Sequence, residues 1–182
     1  MGKTLTFDKP KDWKQIKPEH YQQFSIVSNE YTPCEYGFAI PNQKKSFDVV
    51  SIFNYGENGA PFIKELKDQL DVLANNNNAV DQINDYIKEN ADGYVVTKTD
   101  YIRPIYYKKG KLHDKSCFIN IMKIKTNVTT SYSIQIFTEV SGNLYCITSS
   151  ALNCDENKPF ESLVKNYPHI EQAVNIVFKS MA

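Results

Sequence analysis

No stretch of this sequence is apolar for the roughly 18 residues that a membrane-spanning helix needs. The chain also has no net charge, since 21 Lys plus Arg stand against 21 Asp plus Glu. A balanced chain sets up no global field to draw it to nucleic acid or to an anionic membrane. Glycine is scarce at 7 residues. The glycines are too scattered to cradle a phosphate, and neither a Walker loop nor a G-x-G-x-x-G turn occurs. Histidine is scarcer, at 3. His20, His113 and His169 lie in separate polar segments beside Glu19, Asp114 and Pro168. No HExxH, paired Cys-His or Asp-x-Asp spacing is present, so no metal site and no cofactor is expected. G-x-S-x-G is absent too. The opening MGKTLTFDKPKDW lacks the apolar centre of a signal peptide. Its first six residues fit a myristoylation pattern, which is short enough to arise by chance.

Cysteine is present but unpatterned. Cys34, Cys117, Cys146 and Cys154 include no C-x-x-C pair. Cys117 and Cys146 fall in apolar runs, where a reduced thiol behaves as a small hydrophobe. Four free thiols in a reducing, cytoplasmic setting are the simplest reading. Two disulfides in an exported protein or lipoprotein are the alternative. Asn127-Val128-Thr129 is a glycosylation sequon that only an exported eukaryotic chain would use.

What the chain does have is core-forming material. Hydrophobic residues make up 41% and aromatics 13%. Its 182 residues suit a single domain over 1–182, with no repeat and no Gly/Ser linker. Residues 4–16 read as a short strand, a proline turn and a segment bearing Trp13. Residues 23–28 and 46–55 read as strands, and 29–46, with Pro33, Gly37 and Pro41, as irregular. Val49, Val50, Ile52 and Phe53 imply burial on both faces of that later strand. A helix is expected from Pro61, with Phe62, Leu66, Leu70 and Leu73 on one stripe. It ends in the run Asn75 to Asn78. A second helix carries Val80, Ile83, Tyr86 and Ile87, with Asn78 as N-cap and Gly93 as stop. Residues 94–152 then read as a four-strand meander, with KKGKLHDK (108–115) as a polar turn. Pro159 and Pro168 open two closing helices. The last carries Ile170, Val174, Val177, Phe178 and Met181 on its apolar side.

The hairpin FTEVSGNLYCIT (137–148) specifies the sheet. Gly142-Asn143 suits a two-residue primed turn, which pairs Val140 with Tyr145, Thr138 with Ile147 and Ile136 with Ser149. That face, extended by Ile134, is core. The other face, with Phe137, Glu139, Leu144 and Cys146, is mixed and at least partly covered. The expected fold class is α+β, a mostly antiparallel sheet with helices on both faces in an α/β/α sandwich.

In this order of elements, LTFDKPKDWKQI, FTEVSGNLYCIT and VNIVFKSMA resemble the PsbP-like / DcrB-like superfamily, whose fold the Ran-GTPase release factors share. The shared features are a short strand entering P-x-x-W, a glycine-bearing turn before an aromatic strand, and a closing helix. The superfamily's terminal Ser-Phe pair is only approximated by Phe178-Lys179-Ser180. The resemblance implies a module that binds other proteins and catalyses nothing. Known members include photosystem II extrinsic subunits, bacterial lipoproteins and secretion-effector chaperones. The acidic motif of the Ran-release factors has no counterpart here. Nor can the ion-linked residues of the photosystem subunits be placed.

Charge is polarised locally. Residues 98–125 hold eight cations against two acids, a net +6, whereas 57–92 hold three cations against eight acids, a net −5. Tyr101, Arg103, Tyr106, Tyr107, Lys108, Lys109 and Lys111 interleave aromatic and cationic groups. Such a run is either a solvated hairpin or a hot spot for a protein partner. Nucleic acid ranks third because the chain is neutral overall. His113, beside Asp114 and near Cys117, could be drawn as a base with its nucleophile. A hairpin tip with Cys117 turned into the sheet is the plainer reading. The expectation is therefore a non-catalytic protein-binding module, such as an adaptor, secretion chaperone or toxin-immunity protein. A ligand carrier or small hydrolase with a pocket between helix and sheet is the alternative. A cavity holding His113 or Cys117 would favour the alternative. Exposed tyrosines over 101–111 would favour the partner.

Overall fold

The structure, a computed structural model, describes residues 9–17, 22–25, 30–42, 46–90 and 97–179. The acylation pattern, residues 4–8 of the segment read as strand, turn and Trp13, His20, Gly93 and Met181 lie outside them, as does the side chain of Phe178.

Seven strands form one antiparallel sheet: β1 (Lys14–Ile16), β4 (Tyr36–Pro41), β5 (Phe47–Asn54), β9 (Asn143–Ala151), β8 (Thr130–Val140), β7 (Lys115–Thr126) and β6 (Thr99–Leu112), in that spatial order. β2 (Gln22–Ser25) and β3 (Glu30–Pro33) pair as a separate ribbon. Four helices complete the α+β fold: α1 (Gly59–Asn75), α2 (Ala79–Asn90), α3 (Pro159–Asn166) and α4 (Pro168–Lys179). No helix among the described residues is long and apolar enough to cross a membrane.

The segment expected to be irregular, 29–46, contains β3 and β4. Pro33 and Pro41 stand at strand ends, where a missing N–H breaks no ladder. Gly37 is inside β4 for a packing reason: a Cβ there would lie 2.6 Å from Ile16 Cγ1 of β1. β4 runs antiparallel to β5 and carries β1 on its far side, so tertiary pairing overrides the local punctuation.

Two tight turns differ from expectation in an instructive way. The β8–β9 turn is Ser141-Gly142, with φ of 51° and 82°, and Val140 pairs with Asn143. The expected register is thus slipped by two. A primed turn needs positive φ at both central residues, and Ser141-Gly142 supplies it. A slip of two leaves every side chain on its expected face, because the strand period is two. The expected turn over 108–115 shrinks to His113-Asp114, with φ of 45° and 61°. Lys108 to Leu112 continue β6, pairing with Lys115 to Ile119 of β7.

Buried residues fall into two clusters that alternate along the strands. The first takes Val50, Ile52, Ile119, Ile121, Ile134, Ile136, Tyr145 and Ile147, and is joined by Trp13, Phe38 and Leu163 of α3. Ile170, Val174 and Val177 of α4 complete it. The second takes Phe53, Phe118, Phe137, Leu144 and Cys146, with Leu66 and Leu70 of α1. Phe62 and Leu73, the ends of the α1 stripe, pack on this second cluster.

Candidate functional site

β6 is the outermost strand beside β7, and it carries every residue of the basic-aromatic run. Pro104, two irregularities in its pairing and its lysines are the devices by which an edge strand avoids joining another sheet. Strand alternation divides the run. Tyr106 stacks on Phe160 of α3, with centroids 5.7 Å apart, and Lys108 Nζ lies 4.8 Å above the Tyr106 ring. Tyr107 faces the other way and its hydroxyl donates to Asp71 Oδ1 of α1 at 2.7 Å. That bond, with some burial, raises the phenol's pKa. Arg103 donates to the Ala74 carbonyl and to Asn77 Oδ1, each at 2.7 Å. Tyr101 lies under Arg103 and Lys123, whose charges sit 5.8 and 5.9 Å from its ring. Three tyrosines and the arginine of the run are therefore engaged within the molecule. Lys109 and Lys111, opposite Phe118 and Ser116 of β7, have no ion-pair partner among the described residues.

Those two lysines border a groove of about 790 Å³ between the N-terminal half of α1 and the sheet. Ile63 of α1 and Phe118, Phe137 and Leu144 of the sheet give it an apolar lining. Lys64 and Lys67 of α1 line the facing wall. Among the described residues, none of these four ammonium groups has a carboxylate within 4.0 Å. At the other end, the exposed Glu139 Oε2 would be 3.1 Å from a Cβ on Gly59, so this carboxylate sits against the start of α1. A helix N-terminus tolerates that charge through its free N–H groups and dipole.

α1 is held over the groove at both ends. Arg103 and Tyr107 tie its C-terminal half to β6. At the other end, Tyr55 N–H donates to the Leu144 carbonyl and Leu144 N–H to the Gly56 carbonyl, both at 2.8 Å, anchoring the turn that leads into the helix. The sequence reading missed Lys64 and Lys67, because it counted them within an acidic segment. Their spacing of three, which places both on one helix face, was the available signal.

The drawn nucleophile pair does not come together as a reactive unit. His113 Nε2 lies 3.3 Å from Glu171 Oε1 of α4. Cys117 runs along the groove wall, but its side chain packs in the first cluster and its thiol donates to the Lys115 carbonyl at 3.5 Å. Burial raises the thiol's pKa and keeps it protonated. All four cysteines are free, and Cys34, Cys117 and Cys146 are buried.

His169, read from sequence as part of a polar segment, is buried. Pro168 starts α4, and the helix carries the next residue onto the sheet. His169 Nε2 is 3.4 Å from Ser149 Oγ, and its Nδ1 is 4.0 Å from Asp48 Oδ2. The outline resembles a serine, histidine and aspartate relay, but Asp48 is beyond hydrogen-bond reach of the imidazole and the Ser149 hydroxyl is spent elsewhere. Ser149 gives its proton to the Val49 carbonyl at 3.1 Å, not to the imidazole 3.4 Å away. A nucleophile's base would need Nε2 as acceptor. The group is a buried polar tie between α4, β9 and β5. Among the described residues, no cluster of three or more His, Cys, Asp or Glu could hold a metal ion.

No family model matches this chain, and no curated protein matches it. Among solved structures, PA94 from Pseudomonas aeruginosa, a protein of unknown function, is similar over 85% of this chain and 94% of its own. The identity is 11% and the TM-score 0.43. At that level of likeness nothing passes from that protein to this one.

Proposed function

We propose that the protein is a non-catalytic binding module that holds its ligand in the groove beneath the N-terminal half of α1. The observation that carries this reading is the groove itself: an apolar floor between two walls whose lysines have no carboxylate partner among the described residues. Its volume is in the range of small-molecule sites. The proposal includes an α/β/α layering, supported by the alternation of the two buried clusters along the strands. It takes the groove rather than the outer surface of β6 as the binding element, because Arg103, Tyr106 and Tyr107 are already engaged internally. A non-catalytic role is favoured by the protonated Cys117 thiol and by the Ser149 hydroxyl, which donates to the Val49 carbonyl and not to His169.

Native mass spectrometry of protein purified from its own cells tests the reading. The wild type should carry a bound small molecule that is released on denaturation. Ala60→Trp, which fills the groove from an exposed helix position, should lose it while keeping its circular dichroism spectrum. A wild type that is empty, and whose melting temperature no small molecule raises, would count against a ligand groove.

A further inference from the structure

We propose that the occupant of the groove is a single-chain anionic amphiphile, with its carboxylate or phosphate head among Lys64, Lys67, Lys109 and Lys111 and its alkyl chain along Phe118, Phe137 and Leu144. This inference rests on the groove reading and names the ligand class.

Charge is the first support. The four ammonium groups come from two walls of one cavity and have no acidic partner among the described residues. Lys109 and Lys111 project from the same side of β6, and Lys64 and Lys67 from one face of α1. The groove's own carboxylate, Glu139, stands at the opposite end, against the start of α1. The groove is thus cationic at the sheet edge, apolar along Phe118 and Phe137, and bounded at its far end by Leu144 beside the Glu139 carboxylate.

Length is the second. The lysines of β6 and Leu144 of β9 are three strands apart in the sheet order. At about 4.8 Å per strand that is ~14 Å. An extended chain of about twelve carbons covers that span.

Hydrogen bonding is the third, and it separates an alkyl chain from an acidic peptide. The floor is the face of a sheet, whose backbone groups are already paired between β6, β7, β8 and β9. A peptide laid there would leave its own N–H and C=O groups unsatisfied, which is costly. An alkyl chain has no such groups. The walls are fixed by Arg103 and Tyr107 at one end of α1 and by the Leu144 backbone bonds at the other, so the groove does not need to be formed by the ligand.

The test is isothermal titration of the full chain with dodecanoate, dodecyl phosphate, dodecanol and dodecyltrimethylammonium, each below its micelle concentration. The two anions distinguish a carboxylate from a phosphate head. At least one anion should bind about tenfold more tightly than dodecanol, and the cation should not bind. Lys109→Glu with Lys111→Glu should weaken the anion by tenfold or more and leave dodecanol unchanged. Raised salt should weaken the anion alone. Lys109→Gln with Lys111→Gln is the milder control should charge reversal disturb folding. Dodecanol binding as tightly as both anions, with Ala60→Trp blocking all of them, would overturn the anionic head and keep the groove. An acidic peptide with apolar anchors that binds more tightly than either anion and is lost in Ala60→Trp would overturn the alkyl occupant and keep the groove. Alkyl probes that all fail to bind, or that ignore Ala60→Trp, would overturn both.

Discussion

Arg103, on the outermost strand β6, closes the C-terminal end of α1 by donating to the Ala74 carbonyl at 2.7 Å. Its second nitrogen reaches Asn77 Oδ1, so one planar fork satisfies a terminal helix carbonyl and pins the loop that follows. Arg103→Ala should lower stability by about 1–2 kcal/mol, the usual scale for a charged hydrogen bond that is partly exposed. Arg103→Lys should recover little, because a point charge cannot make both bonds. Urea unfolding checks this. A lysine variant as stable as the wild type would show that charge near the helix terminus, not the fork, matters.

The buried tie at His169 makes stability depend on pH. Burial lowers the imidazole's pKa below its ordinary value, and the smaller effect of Asp48 opposes the shift. The groups facing it are Asp48, Ser149 and the edge-on ring of Tyr167. The unfolded chain then binds the proton more tightly than the folded one. Stability is complete above about pH 6.5 and falls as pH drops below that value, levelling off beneath the folded-state pKa. Half-buried Glu35 works in the opposite sense, since its raised pKa favours the fold at low pH. The difference between wild type and His169→Gln, measured by denaturant unfolding from pH 5 to 8, isolates the histidine. If that difference does not vary with pH, the imidazole is not held neutral by the fold.

Gly37 has no room for a side chain against Ile16. Gly37→Ala should cost about 1–3 kcal/mol, the scale for overpacking in a tight contact. Ile16→Ala in the same protein should return much of that loss, so the two changes will not add. A thermal melt of the two single variants and the double variant decides it, and strict additivity would locate the cost in the backbone instead.

Ser141 holds φ 51° in the β8–β9 turn, a region that asparagine and glycine occupy more readily than serine. Ser141→Asn should make an Asn-Gly primed turn and stabilise the protein by up to about 1 kcal/mol. Chemical unfolding with an unchanged m-value would show that only stability moved. A destabilised Ser141→Asn variant would mean that the turn is not of this type.

The hairpin shows what alternation can and cannot supply. Val140, Ile136, Ile134, Tyr145 and Ile147 fall on one face in either register, and all lie in the first cluster. The register itself depends on which two residues take positive φ, and Ser141-Gly142 competes with Gly142-Asn143 on local grounds alone. The stretch from 29 to 46 was harder. Its prolines and Gly37 look like loop punctuation, and only pairing with β5 and the crossing of Ile16 show why a strand accepts them.

The candidate site divides in the same way. The basic-aromatic run was visible from sequence, and so was a possible pocket between helix and sheet. That Tyr107 and Arg103 serve α1 was not visible, since Asp71 and Ala74 lie 36 and 29 residues away in the chain. Nor was the groove that Lys64 and Lys67 border together with Lys109 and Lys111. The sequence by itself determined the α+β class, most strand faces and the helical stripes, because side-chain periods of two and 3.6 are local and written residue by residue. Tertiary structure decided which cations are paired, which histidine is buried and where a cavity opens, because those depend on elements distant in the chain packing against the same sheet.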